Sequence, residues 1–276
     1  MFIQSKNNEM VKKAVKLKDK KYRYEYGQFL VENEKILIEA YKNNYVIHSI
    51  FYCLPLQNDY GGQVNYIETT QEVLKHLSST SSPAKCVAVV NMKGSESLAK
   101  EYNACEEGSH AEGLRQKGCK ALNKNLSINS NFLVLDRLQD PSNVGAIIRS
   151  SLGANFTNVL LIDCADIYDT KVIRSSMGAV FNLNVQKVGL EDVKKLNFPL
   201  VVLDMKGQNI FKEEFNKGQI YGFIVGNEGQ GVCDELKKVA SKTVAIPMNE
   251  RLESLNASVS ASLVMYAISR GLKESL

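Results

Sequence analysis

Tyr221-Gly222-Phe223-Ile224-Val225-Gly226-Asn227-Glu228-Gly229-Gln230-Gly231 is an apolar run that passes without a break into a glycine-rich turn. The first five residues have the composition of a strand, and the next six cannot continue it, because repeated glycine weakens a ladder and marks close backbone approach. Open α/β sheets bind ligands just beyond the carboxyl ends of their strands, where this loop would lie. The loop has no Lys-Ser/Thr pair, so it is not a P-loop, and it lacks the G-x-G-x-x-G spacing of a dinucleotide fold. It offers bare backbone and one ionisable group, Glu228. A tight strand-to-helix turn with Asn227 in the left-handed region accounts equally well for the glycines, but not for Glu228.

Working outward, the chain from Phe132 onward alternates regularly. The pattern predicts strands at Phe132–Asp136, Val159–Ile162, Leu183–Val188, Leu200–Leu203, Tyr221–Val225 and Thr243–Ile246. Helices are expected at Ser142–Leu152, Thr170–Met177, Glu191–Leu196, Val232–Ala240 and Ala257–Leu272. Near-continuous apolar strands between helices indicate an α/β domain with a mainly parallel sheet covered on both faces.

Two more unusual segments fall at strand ends. Asp140-Pro141-Ser142-Asn143-Val144-Gly145 follows the first strand, and Ser142 or Asn143 is placed to cap the next helix. That leaves Arg149 without a structural task, about 120° around an ideal helix from Asn143. An Asn and an Arg at such an edge suit a phosphate or a polar substrate. Ile246-Pro247-Met248 leads to Glu253-Ser254-Leu255-Asn256-Ala257-Ser258. Pro247 should end the strand and free neighbouring backbone groups. Ser254 or Asn256 can cap the last helix, but capping uses only one of these polar residues.

Upstream, strands at Phe29–Glu32, Val46–Cys53 and Cys86–Val90 and helices at Glu34–Tyr41 and Gln71–Leu77 describe a small α/β unit. Residues 93–131, punctuated by Gly94, Gly108, Gly113 and Gly118, read as a linker with a helix around Leu98 to Cys105. The expected organisation is therefore 1–92, 93–131 and 132–276. With 44% hydrophobic and 23% charged residues, the 276-residue chain can bury a sizeable core in each half. No apolar run approaches the roughly 20 residues of a membrane span. Met1 to Lys6 lacks the apolar core of a secretory signal, so a cytoplasmic protein without a membrane partner is expected. The six cysteines are scattered with no C-x-x-C pair, which predicts reduced thiols rather than a zinc site or a disulfide framework.

Charge is unevenly distributed. Lys6, Lys12, Lys13, Lys16, Lys18, Lys20, Lys21 and Arg23 face only Glu9 and Asp19 in the first 23 residues, while the whole chain carries +4. Such a run binds phosphates by releasing counterions, and a solvated lysine-rich helix face has the same composition.

In this order, Asn143 to Arg149, Gly226 to Gly231, and Ile246-Pro247-Met248 with Ser254-Leu255-Asn256-Ala257-Ser258 resemble the three motifs of the SpoU-type (TrmH-like) RNA 2′-O-ribose methyltransferases of the SPOUT superfamily. The resemblance covers Phe132 to the C-terminus. Phe29-Leu30-Val31-Glu32 leading into Glu34-Lys35 resembles the substrate-binding domain often fused to that family, which is similar to a small ribosomal-protein fold. Asn33 stands where that domain usually has glycine, and Asn tolerates left-handed geometry.

The resemblance implies a deep trefoil knot at the C-terminus, S-adenosylmethionine as cofactor, no metal, and a homodimer. It implies cofactor contacts from Gly226, Ile246, Met248 and Leu255, and active-site roles for Asn143, Arg149, Glu228, Ser254 and Asn256. The implied partner is structured RNA, with ribosomal RNA favoured over transfer RNA because of the N-terminal domain. A non-catalytic RNA-binding or ribosome-assembly factor on the same fold is the alternative. A nucleotide-binding protein would need a phosphate-binding Lys or a paired acidic metal site near the glycine loop, and neither is evident in the sequence.

Overall fold

The computed structural model describes residues 1–80, 84–93 and 127–269. Apart from Lys93 and residues 127–131, the expected linker lies outside the described residues, as do its helix around Leu98 to Cys105 and two of the cysteines. In chain order the elements begin with β1 (Phe2–Ile3), α1 (Glu9–Lys16), α2 (Lys20–Tyr26), β2 (Gln28–Val31), α3 (Glu34–Lys42), β3 (Ile47–Tyr52), β4 (Asn65–Thr69), α4 (Gln71–Leu77) and β5 (Cys86–Asn91). They continue with β6 (Phe132–Asp136), α5 (Pro141–Gly153), β7 (Asn158–Ile162), α6 (Thr170–Ser176), α7 (Ala179–Asn182), β8 (Asn184–Lys187), α8 (Leu190–Lys194) and β9 (Leu200–Asn209). The last are β10 (Gly222–Val225), α9 (Asp234–Val239), β11 (Lys242–Ala245) and α10 (Ala257–Ser269). The described residues form two compact units, one of residues 1–93 with Asp166–Asn182 and the other of residues 127–165 with residues 183–269.

In the first unit the sheet order is β1-β4-β3-β5-β2. β3 and β4 are parallel, and β5 runs antiparallel to both β2 and β3. Its core gathers Val11, Ala14 and Leu17 of the first helical region with Leu30, Phe51, Ile67 and Leu74. Asn33 is extended (φ −149°) rather than left-handed. It serves as the N-cap of α3, its side chain accepting from the Lys35 amide at 2.8 Å. A cap needs an acceptor and an extended backbone, and Asn supplies both without a glycine-like φ.

Part of the C-terminal half of the sequence completes this unit. The Phe29 ring lies 4.8 Å from Tyr168 and 6.0 Å from Phe181, centroid to centroid. Arg23, counted above in the lysine-rich run, is buried. It donates through Nε to Asp166 Oδ2 at 2.9 Å and through Nη1 to the carbonyls of Leu17 and Lys18 at the end of α1. One guanidinium thus both closes a helix terminus and neutralises a buried carboxylate.

In the second unit the order is β11-β9-β10-β6-β7-β8, and every pairing is parallel. Phe132, Val134, Leu160, Val188, Val202, Ile224 and Leu236 fill one core beneath it. Each such side chain contributes about 1.5–3 kcal/mol when fully buried. From β6 the chain builds outward through β7 and β8, while β10 and β9 lie on the other side. The direction reverses at the β6–β10 pair, where ligands collect in sheets of this class.

Candidate active site at the β6–β10 switch point

The glycine loop is held by its own side chains. Asn227 Oδ1 accepts from the amides of Gly229 (2.9 Å) and Gln230 (3.1 Å), and Asn227 pairs with Gly231 as an isolated bridge. Asn227 is not in the left-handed region; Gly231 is, at φ +67°. Gly226 cannot carry a side chain, because a Cβ there would lie 2.2 Å from the backbone of Gly231 and Val232. The fold-back of the loop on itself therefore requires glycine at 226 and favours it at 231.

The clamp that holds this loop to the sheet comes from two residues outside the three motifs, Asp136 and Arg137. Asp136, the last residue of β6, is 1% exposed. It accepts from Arg137 Nε (2.9 Å), Arg137 Nη2 (3.0 Å) and the Cys233 amide (2.8 Å). The same guanidinium donates to Gln230 Oε1 (3.0 Å) and Gly231 O (3.1 Å), and Asn227 Nδ2 donates to the Arg137 carbonyl (2.9 Å). Arg137 sits at φ +58°, an uncommon conformation for a residue with a side chain. The signal in the sequence was a carboxylate closing an all-apolar strand: a buried charge must find a partner, and an Arg is next to it.

Asp140, not Ser142 or Asn143, caps α5, accepting from the Ser142 amide at 2.9 Å. Pro141 occupies the first turn, where no amide is needed. Asn143 is thereby free to turn toward the glycine loop, and its Nδ2 donates to Glu228 Oε1 at 2.9 Å. Its Oδ1 accepts from Asn256 Nδ2 at 3.0 Å. Asn256 caps α10, its Oδ1 accepting from the Ser258 amide (2.9 Å) and hydroxyl (2.6 Å). Those donors fix which end of the Asn256 amide is oxygen. Its nitrogen must then face Asn143, and the Asn143 nitrogen must face Glu228. A chain of three side chains, one from each motif, is polarised from the last helix to the glycine loop.

Beside this chain lies a cavity of about 310 Å³. Its walls are the backbone of Gly226 to Gly231, the apolar side chains of Leu203, Ile246, Met248 and Leu255, and the small residues Ala257 and Ser260. All four residues expected to contact a cofactor line it, as do Glu228 and Ser254. Asp204 and Lys237, also in the wall, pair at 2.7 Å. The Lys237 hydrogen bond holds the Asp204 carboxyl below the usual range, and the same bond raises Lys237.

Arg149 is outside this network. It is exposed on α5 and has no hydrogen bond or ion pair with any described residue. Among the described residues no group of three or more His, Cys, Asp or Glu is placed to hold a metal, and no helix is long and apolar enough to cross a membrane. Cys53, Cys86, Cys164 and Cys233 are free thiols.

A parallel sheet with a looped-back glycine turn and an Asn–Asn–Glu chain at its switch point defines an α/β enzyme-like domain built on three separated motifs. Residues 130–266 match the SpoU rRNA Methylase family, and residues 8–88 match the MRM3-like substrate binding domain. The C-terminal half of this chain belongs to the SpoU rRNA methylase family. The chain is similar to the 23S rRNA (guanosine(2553)-2′-O)-methyltransferase RlmP of Bacillus subtilis (strain 168), with 24% identity over 278 residues, covering 96% of this chain and 97% of that protein. A crystal structure of an RNA 2′-O ribose methyltransferase superposes with a TM-score of 0.79 at 26% identity, over 99% of this chain and 100% of the other. The SpoU methyltransferase AviRb from Streptomyces viridochromogenes, solved with AdoMet, has the same fold. Its TM-score is 0.75 at 22% identity, over 98% of this chain and 100% of that one.

Proposed function

We propose that this protein transfers a methyl group from S-adenosylmethionine to a ribose 2′-hydroxyl of ribosomal RNA. The observation that carries the reading is the polarised Asn256–Asn143–Glu228 chain at the rim of a cavity walled by loop backbone and apolar side chains. The cavity suits the cofactor chemically: Leu203, Ile246, Met248 and Leu255 match its apolar parts, and the bare backbone of the loop leaves room for close approach. When bound there, S-adenosylmethionine supplies a sulfonium-borne methyl group to the nucleophile.

The residues of the chain have to align the ribose and manage charge. Asn143 is held rigidly by two partners, so its orientation costs no reorganisation as the substrate arrives. Glu228 fixes that amide, and Ser254, exposed at the cavity edge, is available to the ribose. A guanidinium has no lone pair free to accept a proton, which argues against a general-base role for Arg149. With no partner among the described residues, it serves as an anchor for the adjoining phosphate and stabilises charge developing on the 2′-oxygen.

The same reading includes a homodimer, a trefoil knot and a cytoplasmic setting. Val259, Leu263 and Tyr266, spaced four and three residues apart on α10, are 45%, 39% and 52% exposed. They form a stripe suited to a second copy. The packing of α10 back onto α5 supports a C-terminal segment tucked behind the first strand and helix of the unit. The division at 1–92 and 132–276 is retained for RNA binding and catalysis, with Asp166–Asn182 folding in the first unit.

The test is transfer of labelled methyl from S-adenosylmethionine to ribosomal RNA lacking the modification, with Arg149→Ala as comparison. Label on ribose 2′-oxygens, reduced about 100-fold or more by the substitution, is the expected result; losing one electrostatic stabiliser costs roughly that much. Absence of both cofactor binding and transfer would instead identify a non-catalytic RNA-binding protein.

A further inference from the structure

The first 23 residues carry the largest local excess of positive charge, and the structure separates those cations by task. Arg23 is buried against Asp166. Lys18 Nζ donates to the carbonyls of His76 (2.9 Å) and Ser78 (2.8 Å) at the end of α4, and partial burial lowers its pKa. Lys12 pairs with Glu9 at 3.1 Å and Lys6 with Glu72 at 3.7 Å. Lys21 is engaged as well, which leaves Lys13, Lys16 and Lys20, all exposed and without a carboxylate partner among the described residues.

Two of these three are not free tethers. Lys13 Nζ lies 5.2 Å from the centroid of the Tyr26 ring, and Lys16 Nζ lies 5.2 Å from that of Tyr22. The two rings sit 5.9 Å apart, one turn from each other on α2. Lys13 and Lys16 are likewise one turn apart on α1. The α1–α2 hairpin therefore holds two ammonium groups at fixed positions, with Lys20 at the start of α2 as a third. Ordering them beforehand reduces what binding must later restrict.

We propose that the Lys13–Lys16–Lys20 face of the α1–α2 hairpin docks the sugar–phosphate backbone of the RNA substrate. The inference rests on the reading of this chain as an RNA-modifying enzyme, and it names where the RNA is held outside the catalytic cavity. Charge complementarity selects the partner. Compact ammonium groups with no opposing carboxylate match a line of phosphates and gain from counterion release. Val11, Ala14 and Leu17 of the same region turn inward to the core, and the half-buried Tyr22 and Tyr26 rings lie beneath the ammonium groups, so charge rather than apolar surface leads on this face.

The experiment uses the full chain with Lys13→Gln, Lys16→Gln and Lys20→Gln combined, changes that suit a helix. RNA affinity of wild type and variant is measured across a series of salt concentrations, with cofactor affinity and single-turnover methyl transfer at saturating RNA alongside. RNA affinity should fall about tenfold or more, and the log–log salt slope should shrink by roughly 2, at about 0.7–0.9 for each phosphate no longer neutralised. Cofactor affinity and the saturated rate should stay within about twofold. The triple Lys→Arg variant should retain RNA affinity, separating charge from fold. Unchanged affinity and slope, or a weaker affinity with an unchanged slope, overturn the proposal. So does equally tight binding of polyglutamate, which would point to an acidic protein partner. Wild type that binds RNA with the expected slope but transfers no methyl would overturn the catalytic reading and leave this surface standing.

Discussion

Each unit of this protein is organised around one arginine, and the two are used in opposite ways. The Arg23 side chain is 3% exposed and meets Asp166, 5% exposed, at 2.8 Å, with Asp169 at 3.6 Å. The Arg137 side chain is 31% exposed and meets a carboxylate that is almost wholly buried. Arg23 joins segments more than 140 residues apart in sequence within one core. Arg137 joins a strand end to a loop that lines a cavity. A buried pair of the first kind contributes little net energy when intact, but leaves a bare charge in the core when broken. Removing the half-exposed Arg137 opens a path for water to Asp136, which also keeps its bond from the Cys233 amide, so less stability is lost and the main loss is the position of the loop. Stability should therefore depend on Arg23 and ligand affinity on Arg137.

The largest effects should appear in the first unit. Arg23→Ala strands Asp166, and about 3–5 kcal/mol of stability should be lost in denaturant unfolding. Replacing both partners with apolar residues of similar volume should restore much of it, so equal damage from both variants would contradict the comparison. Alkaline pH probes the same contrast without mutation. Burial, reinforced by Asp166, raises the Tyr24 phenol far above its ordinary 10.0, and burial raises Tyr60 and Tyr168 as well. Burial also pushes the Cys86 thiol up to about 12. Groups raised in the folded state give full stability below their unfolded values. That stability is lost as pH climbs above those values, by up to about 1.4 kcal/mol per pH unit for each. The second unit has Cys164 at about 12 and a raised Cys233, with no tyrosine of this kind among the described residues. Pulse proteolysis above pH 10 should cut the first unit before the second, and simultaneous cutting would count against the assignment.

A smaller effect is expected at Arg137, and it should be seen in binding. Charge-assisted bonds contribute about 1.5–3 kcal/mol each, so Arg137→Ala should weaken cofactor binding about 10–100-fold while RNA affinity holds. Arg137→Gly removes the same guanidinium but relieves a left-handed backbone that costs a side chain roughly 1–2 kcal/mol. The Gly variant should thus be the more stable of the two with equally weak cofactor binding. If Gly restored binding, the backbone rather than the clamp would be setting the loop.

How much of this is legible in sequence follows from which contacts are local. Phe132–Asp136 reads correctly to the residue because a strand covered on both faces is apolar throughout, and Gln71–Leu77 because its cap and its apolar spacing agree. The two N-terminal helices do not separate in the sequence, since lysines obscure the short apolar spacing of Val11, Ala14 and Leu17. The membership of Asp166–Asn182 in the first unit is not legible either. Tyr168 and Phe181 look like any buried aromatic residues until Phe29 is known to face them. At the site, Asn143, Glu228 and Asn256 each stand out, but their hydrogen-bonded order depends on Asp140 taking the cap. Asp136 and Arg137 look like an ordinary strand end.

The smallest expected effect tests the one place where the first unit departs from the pattern it resembles. Asn33 stands where a glycine is usual, and a left-handed turn would make Asn33→Gly stabilising. The observed φ of −149° and the bond from the Lys35 amide make Asn33 a cap instead. Glycine is nearly as good a cap as Asn, so Asn33→Gly should cost only a few tenths of a kcal/mol, and Asn33→Ala about 1 kcal/mol. The order Asn, Gly, Ala in thermal unfolding is the signature of capping, because a left-handed site would place Gly first. Since α3 presents Glu34 to the amides of Gln57 and Asn58 at 2.7 and 3.1 Å, the fraying caused by Asn33→Ala should reach the 57–58 loop. Faster amide exchange at those two residues would confirm that the cap supports more than its own helix.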